Sequence, residues 1–212
     1  MKNKISALIV FNLLWLASSV FGAEVSLKPG NSVAFDCVNS YTFTKKESKK
    51  IDGQPVSATV NLSLDTAGTL LTINLQNNSQ AVSESALYAF DLGLPIKFLS
   101  VNRLAAMFSL FPAGSNWFGP TDLAKPTNGM GASTFAVRDM IFGNPEDFLD
   151  KQKTLSAGFL RSGQSGKIVV KLAGGVEAKT RTLKIDPVAY FLSNDLANPN
   201  KRIQIASTGV QK

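Results

Sequence analysis

Residues 56–75 read VSATVNLSLDTAGTLLTINL, and their period decides the fold. Val56, Ala58, Val60, Leu62 and Leu64 alternate without a break with Ser57, Thr59, Asn61 and Ser63. An extended chain sends successive side chains to opposite faces, so the run is a strand with one dry and one wet face. Asp65-Thr66-Ala67-Gly68 has turn composition, and Leu71, Ile73 and Leu75 then line one face of a returning strand. The pair is a predicted β-hairpin.

The same period recurs on both sides. NSVAFDC, residues 31–37, puts Val33, Phe35 and Cys37 on one face, and ALYAFDLGL, residues 86–94, does the same with Tyr88, Phe90, Leu92 and Leu94. Further strands are expected over 134–142, 155–160, 167–172 and 201–207. Short helices are expected at Asn144-Pro145-Glu146-Asp147 and at Asp186-Pro187, where an Asx residue precedes a proline at the first helical position. Many short strands, glycine-rich turns and minor helices predict an all-β chain, an antiparallel β-sandwich of immunoglobulin-like or jelly-roll-like type with one or two short helices. No internal repeat or long linker divides it, so residues 23–212 are expected to form one domain.

The N-terminus predicts where the domain goes. Lys2 and Lys4 precede an apolar run over residues 5–21, and Val20 and Gly22 are small residues at the −3 and −1 positions of a cleavage after Gly22. Residues 1–22 are therefore expected to be a signal peptide, and the mature chain to be secreted or periplasmic. No cysteine follows the cleavage point to carry a lipid, and no later segment is apolar enough to anchor the mature chain. Losing Lys2 and Lys4 lowers Lys+Arg from 22 to 20 against 15 acids, which leaves a modest excess of about +5. Part of that excess sits in KKESKK, where Lys45, Lys46, Lys49 and Lys50 form either a dock for acidic polysaccharide or anionic lipid, or a solvated loop between strands. An exported chain is not expected to meet nucleic acid. Cys37 is the single cysteine, so no disulfide can form within the chain, and its inward strand position predicts a buried thiol.

Chemistry is constrained by what the composition lacks. There is no histidine, which removes the commonest general base, the usual zinc ligand and every Ser-His or Cys-His arrangement. GQSGK, residues 163–167, lacks the second glycine of a nucleophile elbow, and RSGQSGK lacks phosphate-loop spacing; it reads as a hairpin connection. Glu146, Asp147 and Asp150 could act as a carboxylate pair, yet NPEDFLDK is also the acidic first turn of a capped helix. No calcium-loop motif occurs, and Asp122, Asp186 and Asp195 are scattered loop acids. The expectation is a protein that is not an enzyme, with no catalytic residue, metal or cofactor.

One segment stands apart: FPAGSNWFGP, residues 111–120, holds the only tryptophan outside the leader. Prolines and glycines break regular pairing on either side of Trp117. The ring either seals one end of the fold, or, with Phe118, Asn116 and Ser115 beside it, forms an aromatic platform for a ligand. The composition predicts a ring mostly packed, with an exposed edge.

The strand pair VSATVNLSL and TLLTINLQNNS, the strand containing ALYAFDLGLP, the turn GQSGK before an alternating strand and the closing YFLSNDLANPNKRIQIASTG together resemble the exported bacterial β-sandwich proteins that carry a PEP-CTERM sorting tail. This chain ends ASTGVQK, without the Pro-Glu-Pro element, apolar span or basic terminus of that tail. The resemblance implies an association with the cell surface or extracellular matrix and transfers no catalytic residue. Two functions stay open: a secreted non-enzymatic surface or matrix protein, whose partners are polysaccharide, another cell-surface protein or a second copy of itself, and a carbohydrate-binding module built around Trp117.

Overall fold

The computed structural model describes residues 24–40, 43–44, 50–51, 55–79, 86–94, 106–120, 133–137, 158–195 and 198–212. The leader, most of the KKESKK run and the expected helix at Asn144 lie outside the described residues. The described chain is all-β and its sheets are antiparallel. In order it forms β1 (Val25–Leu27), β2 (Ser32–Ser40), β3 (Phe43–Thr44), β4 (Lys50–Ile51), β5 (Pro55–Leu64), β6 (Leu70–Asn77) and β7 (Ala86–Asp91). There follow β8 (Ala106–Ser109), β9 (Trp117–Phe118), β10 (Thr134–Val137), β11 (Ser165–Lys171), β12 (Leu183–Ile185), β13 (Val188–Asp195) and β14 (Asn198–Gln211).

Ten of these strands make one sheet, in the order β8-β11-β6-β5-β2-β14-β13-β7-β10-β9. The two faces expected of a sandwich are thus two halves of one sheet that curls until its apolar side meets itself. Ring contacts prove the curl. Phe35 on β2 stacks on Phe90 of β7 at 6.5 Å, although two strands separate theirs in the sheet. Phe108 on terminal β8 lies 6.4 Å from Phe135 on β10, next to the opposite end. Twisted strands coil in this way when one face is dry, because curling removes that face from water without a second layer.

The predicted hairpin forms over its whole length. β5 and β6 pair Val60 with Leu75 and Leu62 with Ile73, and the apolar residues of both strands are buried. The turn is held by Asp65, whose carboxylate accepts from the backbone N–H of Thr69 at 2.6 Å and of Leu70 at 2.9 Å and from the Thr69 hydroxyl at 3.1 Å. Gly68 has φ +70, and a side chain there would strike the Ala178 carbonyl, so the turn needs glycine on both counts.

Two expectations need correction. The Asp186-Pro187 helix does not form: these residues link β12 to β13, the Asp186 N–H donating to Leu92 O at 3.1 Å and the Pro187 carbonyl accepting from Gly209 N–H at 3.0 Å. Tertiary partners take the groups a helix would have used. The helical element among the described residues is a 3-10 turn, Val176–Thr180. The strand expected over 155–160 appears, within the described residues 158–160, only as a bridge between Leu160 and Leu87. β10 and β14 fall on the predicted stretches, β14 being longer.

β7 also departs from simple alternation. All six of its residues are buried. Its pairing with β13 passes from Ala89 opposite Tyr190 to Leu87 opposite Phe191, so Tyr88 is a bulge residue and the inward parity shifts there. Tyr88 then meets Phe159 at 6.4 Å and Tyr190 at 6.3 Å, a second aromatic group on the far side of the strand from Phe90. The short β1–β12 ribbon adds Val25, Leu27, Leu183 and Ile185 to the same continuous core.

Two outcomes are expected here. Burial opposes the charge on Asp65, but the hydrogen bonds from Leu70, Thr69 and Gly68 outweigh it and lower the carboxyl pKa. A depressed folded-state pKa contributes stability above the unfolded value, about 3.9, that is lost as pH falls through the folded one. Asp65→Ala should therefore cost roughly 1–3 kcal/mol at neutral pH, and urea titrations should show the gap to wild type narrowing below about pH 4. A gap constant down to pH 2 would refute the turn's role. Cys37 is fully buried and burial pushes its thiol up to about 12, so the folded protein should resist a thiol reagent until denaturant is added.

Candidate functional site

The terminal strands of the ten-stranded sheet, β8 and β9, are joined directly by residues 110–116. These two ends of the sheet are not hydrogen-bonded to each other. The FPAGSNWFGP segment is what closes the seam. Pro112 to Ser115 form a turn, the Ser115 N–H reaching Pro112 O at 3.1 Å with Gly114 at φ +79, as a type II turn requires. Trp117 pairs with Val137, two residues from inward-facing Phe135, so register alone turns the indole inward. There it lies 4.9 Å from Phe111, which lies 6.1 Å from Phe108. Phe108, Phe111 and Trp117 thus form an aromatic chain across a gap that no backbone ladder spans.

Two glycines make room for it. A Cβ on Gly166 would sit 2.3 Å from the Phe111 ring, and one on Gly158 would sit 2.7 Å from Asn116 Oδ1. The second glycine of GQSGK is therefore a seat for Phe111. The carbonyl of Gly158 accepts from the indole N–H at 2.6 Å, which satisfies the only polar atom of the tryptophan side chain.

Of the residues named from the sequence, Trp117 is 7% exposed, its face against Phe111 and its N–H spent on Gly158. Phe118, adjacent on the strand, takes the opposite face by alternation and is half-buried, packed against the core. Asn116 is exposed and Ser115 half-buried, its hydroxyl oxygen enclosed. The segment brings these four together, but the stacking surface is filled by the protein itself. Lys45, Lys46 and Lys49 lie outside the described residues, and so do Asp122, Glu146, Asp147 and Asp150; Lys50 opens β4 opposite Thr44. Asp186 is exposed between strands. Among the described residues no three cysteine or carboxylate side chains gather where a metal ion could be held.

Sequence reasoning missed Asp91, a carboxylate only 6% exposed. It accepts from Ser133 Oγ at 2.5 Å and from Gly93 N–H at 3.0 Å, while Ser133 Oγ accepts from Leu94 N–H at 2.9 Å. Gly93 has φ +65 and no space for a side chain. Asp91 thus ties the end of β7 to the residue before β10. Burial first, and the nearby Asp91 charge second, push the Tyr190 phenol up to about 12. Asn77, also missed, is fully buried: its Nδ2 donates to Leu160 O at 2.7 Å and its Oδ1 accepts from Ser79 N–H at 2.9 Å. Together with Ser162 Oγ to Ser79 O at 2.5 Å, this clasps the QNNSQ break to the RSGQSG turn.

The outer side of β5, β6, β11 and β8 has a different character. β5, β6, β11 and β8 lie side by side, and Asn61, Asn74, Lys167 and Ser109 stand opposite one another in one row across them. The adjoining row is Ser63, Thr72, Val169 and Met107. Asn61, Asn74 and Gln76 are exposed, and their amides have no hydrogen-bond partner within the described residues. Thr59 is engaged: its hydroxyl donates to Asp36 at 2.7 Å and accepts from Asn78 Nδ2 at 2.6 Å. Asp36 also pairs with Lys212 at 2.9 Å, so the carboxylate bordering this wall is neutralised. Its pKa is lowered although burial alone would raise it, because the bonds from Lys212 and Thr59 prevail.

Trp117→Ala removes a buried ring and its indole bond and should cost about 3–5 kcal/mol in denaturant unfolding. Gly166→Ala should also destabilise, by displacing Phe111. An unchanged Tm for both would show that the aromatic chain does not close the sheet. No family model, no curated protein and no solved structure matches this chain.

Proposed function

We propose that the chain is an exported, non-enzymatic surface or extracellular-matrix protein that works through contacts with polysaccharide or with other surface proteins. The observation that carries this reading is the outer wall of β5, β6 and β11, where hydroxyl and amide groups alternate with the core residues and several amides are unspent within the protein. A rigid sheet displaying such groups recognises a surface rather than enclosing a small molecule. The absence of histidine from the sequence and the engagement of buried Asp91 with Ser133 and Gly93 both fit a protein without a reaction centre.

The burial of Trp117 does not favour the alternative of a carbohydrate-binding module with that ring as platform. Contact with sugar would fall to the wall instead. The leader motif supports export, and among the described residues no helix is long and apolar enough to cross a membrane.

Expression of the full gene product, fractionation and N-terminal sequencing test this reading. The expected result is a chain beginning at Ala23 or Glu24, recovered from periplasm, cell-surface wash or medium. Recovery from the cytosol with Met1 intact would overturn it.

A further inference from the structure

The wall displays two cations that nothing in the described protein neutralises. Lys167 and Lys171 project from the outer face of β11, and neither forms an ion pair or side-chain hydrogen bond. Four residues apart on a strand, they stand about 13 Å from each other. No carboxylate lies on the outer faces of β5, β6, β8 or β11. The bordering acids are already spent, Asp36 on Lys212 and Thr59, and Asp65 on its own turn. Among the described residues the charge on this face is therefore positive, and an anion there meets no competing carboxylate.

Between the lysines lies Val169, with Met107 beside it on β8 at 64% exposure. On the other side stand the free amides of Asn74 and Asn61. From Asn61 to Ser109 the row spans three strand spacings, about 14 Å. The patch is shallow, as long as it is wide, and combines separated positive charges, amide donors and acceptors, and a small apolar strip. Each part matches a feature of an acidic sugar chain: ring carboxylates at intervals, hydroxyls that donate and accept, and the C–H face of a pyranose. Val169, Met107 and Leu70, the last 43% exposed opposite Lys171, form an apolar strip without an aromatic centre such as protein interfaces use, and two cations about 13 Å apart are sparser than the cluster that an anionic membrane calls for.

We propose that the β5–β6–β11 wall binds an acidic polysaccharide, with uronate carboxylates on Lys167 and Lys171 and sugar hydroxyls on Asn61, Asn74 and Gln76. The inference rests on the reading of the chain as a surface or matrix protein in contact with polysaccharide. Affinity arises from many weak polar contacts rather than from one pocket, so binding favours polymer over monomer and weakens with salt.

Affinity electrophoresis and calorimetry of the mature protein against polygalacturonate, dextran and anionic phospholipid vesicles provide the test. Polygalacturonate is expected to bind, less tightly at high salt. The double substitution Lys167→Gln with Lys171→Gln should weaken it at least tenfold, as should Asn61→Ser with Asn74→Ser, at unchanged Tm. Replacing Lys45, Lys46, Lys49 and Lys50 by Gln should leave binding intact. Loss of binding in that last variant alone would overturn the assignment and move the site to the lysine run. Equal binding by wild type and the Lys167/Lys171 variant would also overturn it, as would a preference for vesicles or dextran. Failure to bind polygalacturonate by a protein that fractionation places at the cell surface sinks this inference alone, whereas retention of Met1 in the cytosol sinks the functional reading beneath it.

Discussion

The structure depends on one requirement: a single sheet must cover its own apolar face. The chain has no disulfide to staple it, and among its described residues no helix is long enough to lie across the sheet. Among the described residues, burial of the inward residues of β2, β5, β6, β7, β11 and β13 rests on the curl of the sheet, with the β1–β12 ribbon added to the same core. A curled sheet has two ends, and ends left open expose both backbone and core. Here β8 and β9 are the ends, and the short connection between them carries the rings that fill the gap. Phe111 and Trp117 supply by stacking what a ladder of hydrogen bonds would supply in a closed barrel.

That solution imposes conditions far away in the sequence. Phe111 needs Gly166, and the indole needs the carbonyl of Gly158. Glycine is costly in a strand, where it weakens pairing and offers nothing to pack. At Gly166 the cost is offset because the missing side chain is replaced by an aromatic ring from the seam. Buried polar groups follow the same logic: Asn77 and Asp91 sit at ends of strands, each completing hydrogen bonds that the ladder leaves open. Both are buried, so losing one of these bonds costs more there than at the surface.

What could be read in the sequence follows from how local each signal was. The β5–β6 hairpin was legible because one face is buried and one is wet, and period two records that difference residue by residue. Cys37 could be placed inside by the same alternation. β7 was only half legible: both faces are buried and the bulge at Tyr88 shifts the parity, so the apparent stripe from Tyr88 to Leu94 does not describe one face. Asp186-Pro187 misled because a cap motif is local, whereas the partners that won, Leu92 and Gly209, lie on other strands. Trp117 could not be settled, since its orientation depends on pairing with Val137, and its polar atom on a glycine 41 residues away. The wall was visible as the wet half of the hairpin; that Lys167 falls in line with Asn74 and Asn61 required the register of β11 on β6.

The same register ties the surface to the core. In a strand the side-chain period is two, so a slip of one residue would send Asn61 and Asn74 inside and Leu62 and Ile73 out. Leu62 and Ile73 are fully buried opposite each other, and that pairing fixes where the neighbouring amides emerge. A surface contact made by such a wall needs little ordering, because the backbone beneath each amide is already held by ladders on both sides. The ordering that remains is in the side chains, about 0.5–1.5 kcal/mol for each long one that must stop moving. Short amides and hydroxyls keep that cost low, while the two lysines bear most of it. Lys167 is half-buried and has less freedom left to lose than the exposed Lys171. A curled sheet with a disulfide-free core thus holds a fixed pattern of small polar groups on its outer wall, and the aromatic seam helps to keep that pattern fixed by joining the two ends of the sheet.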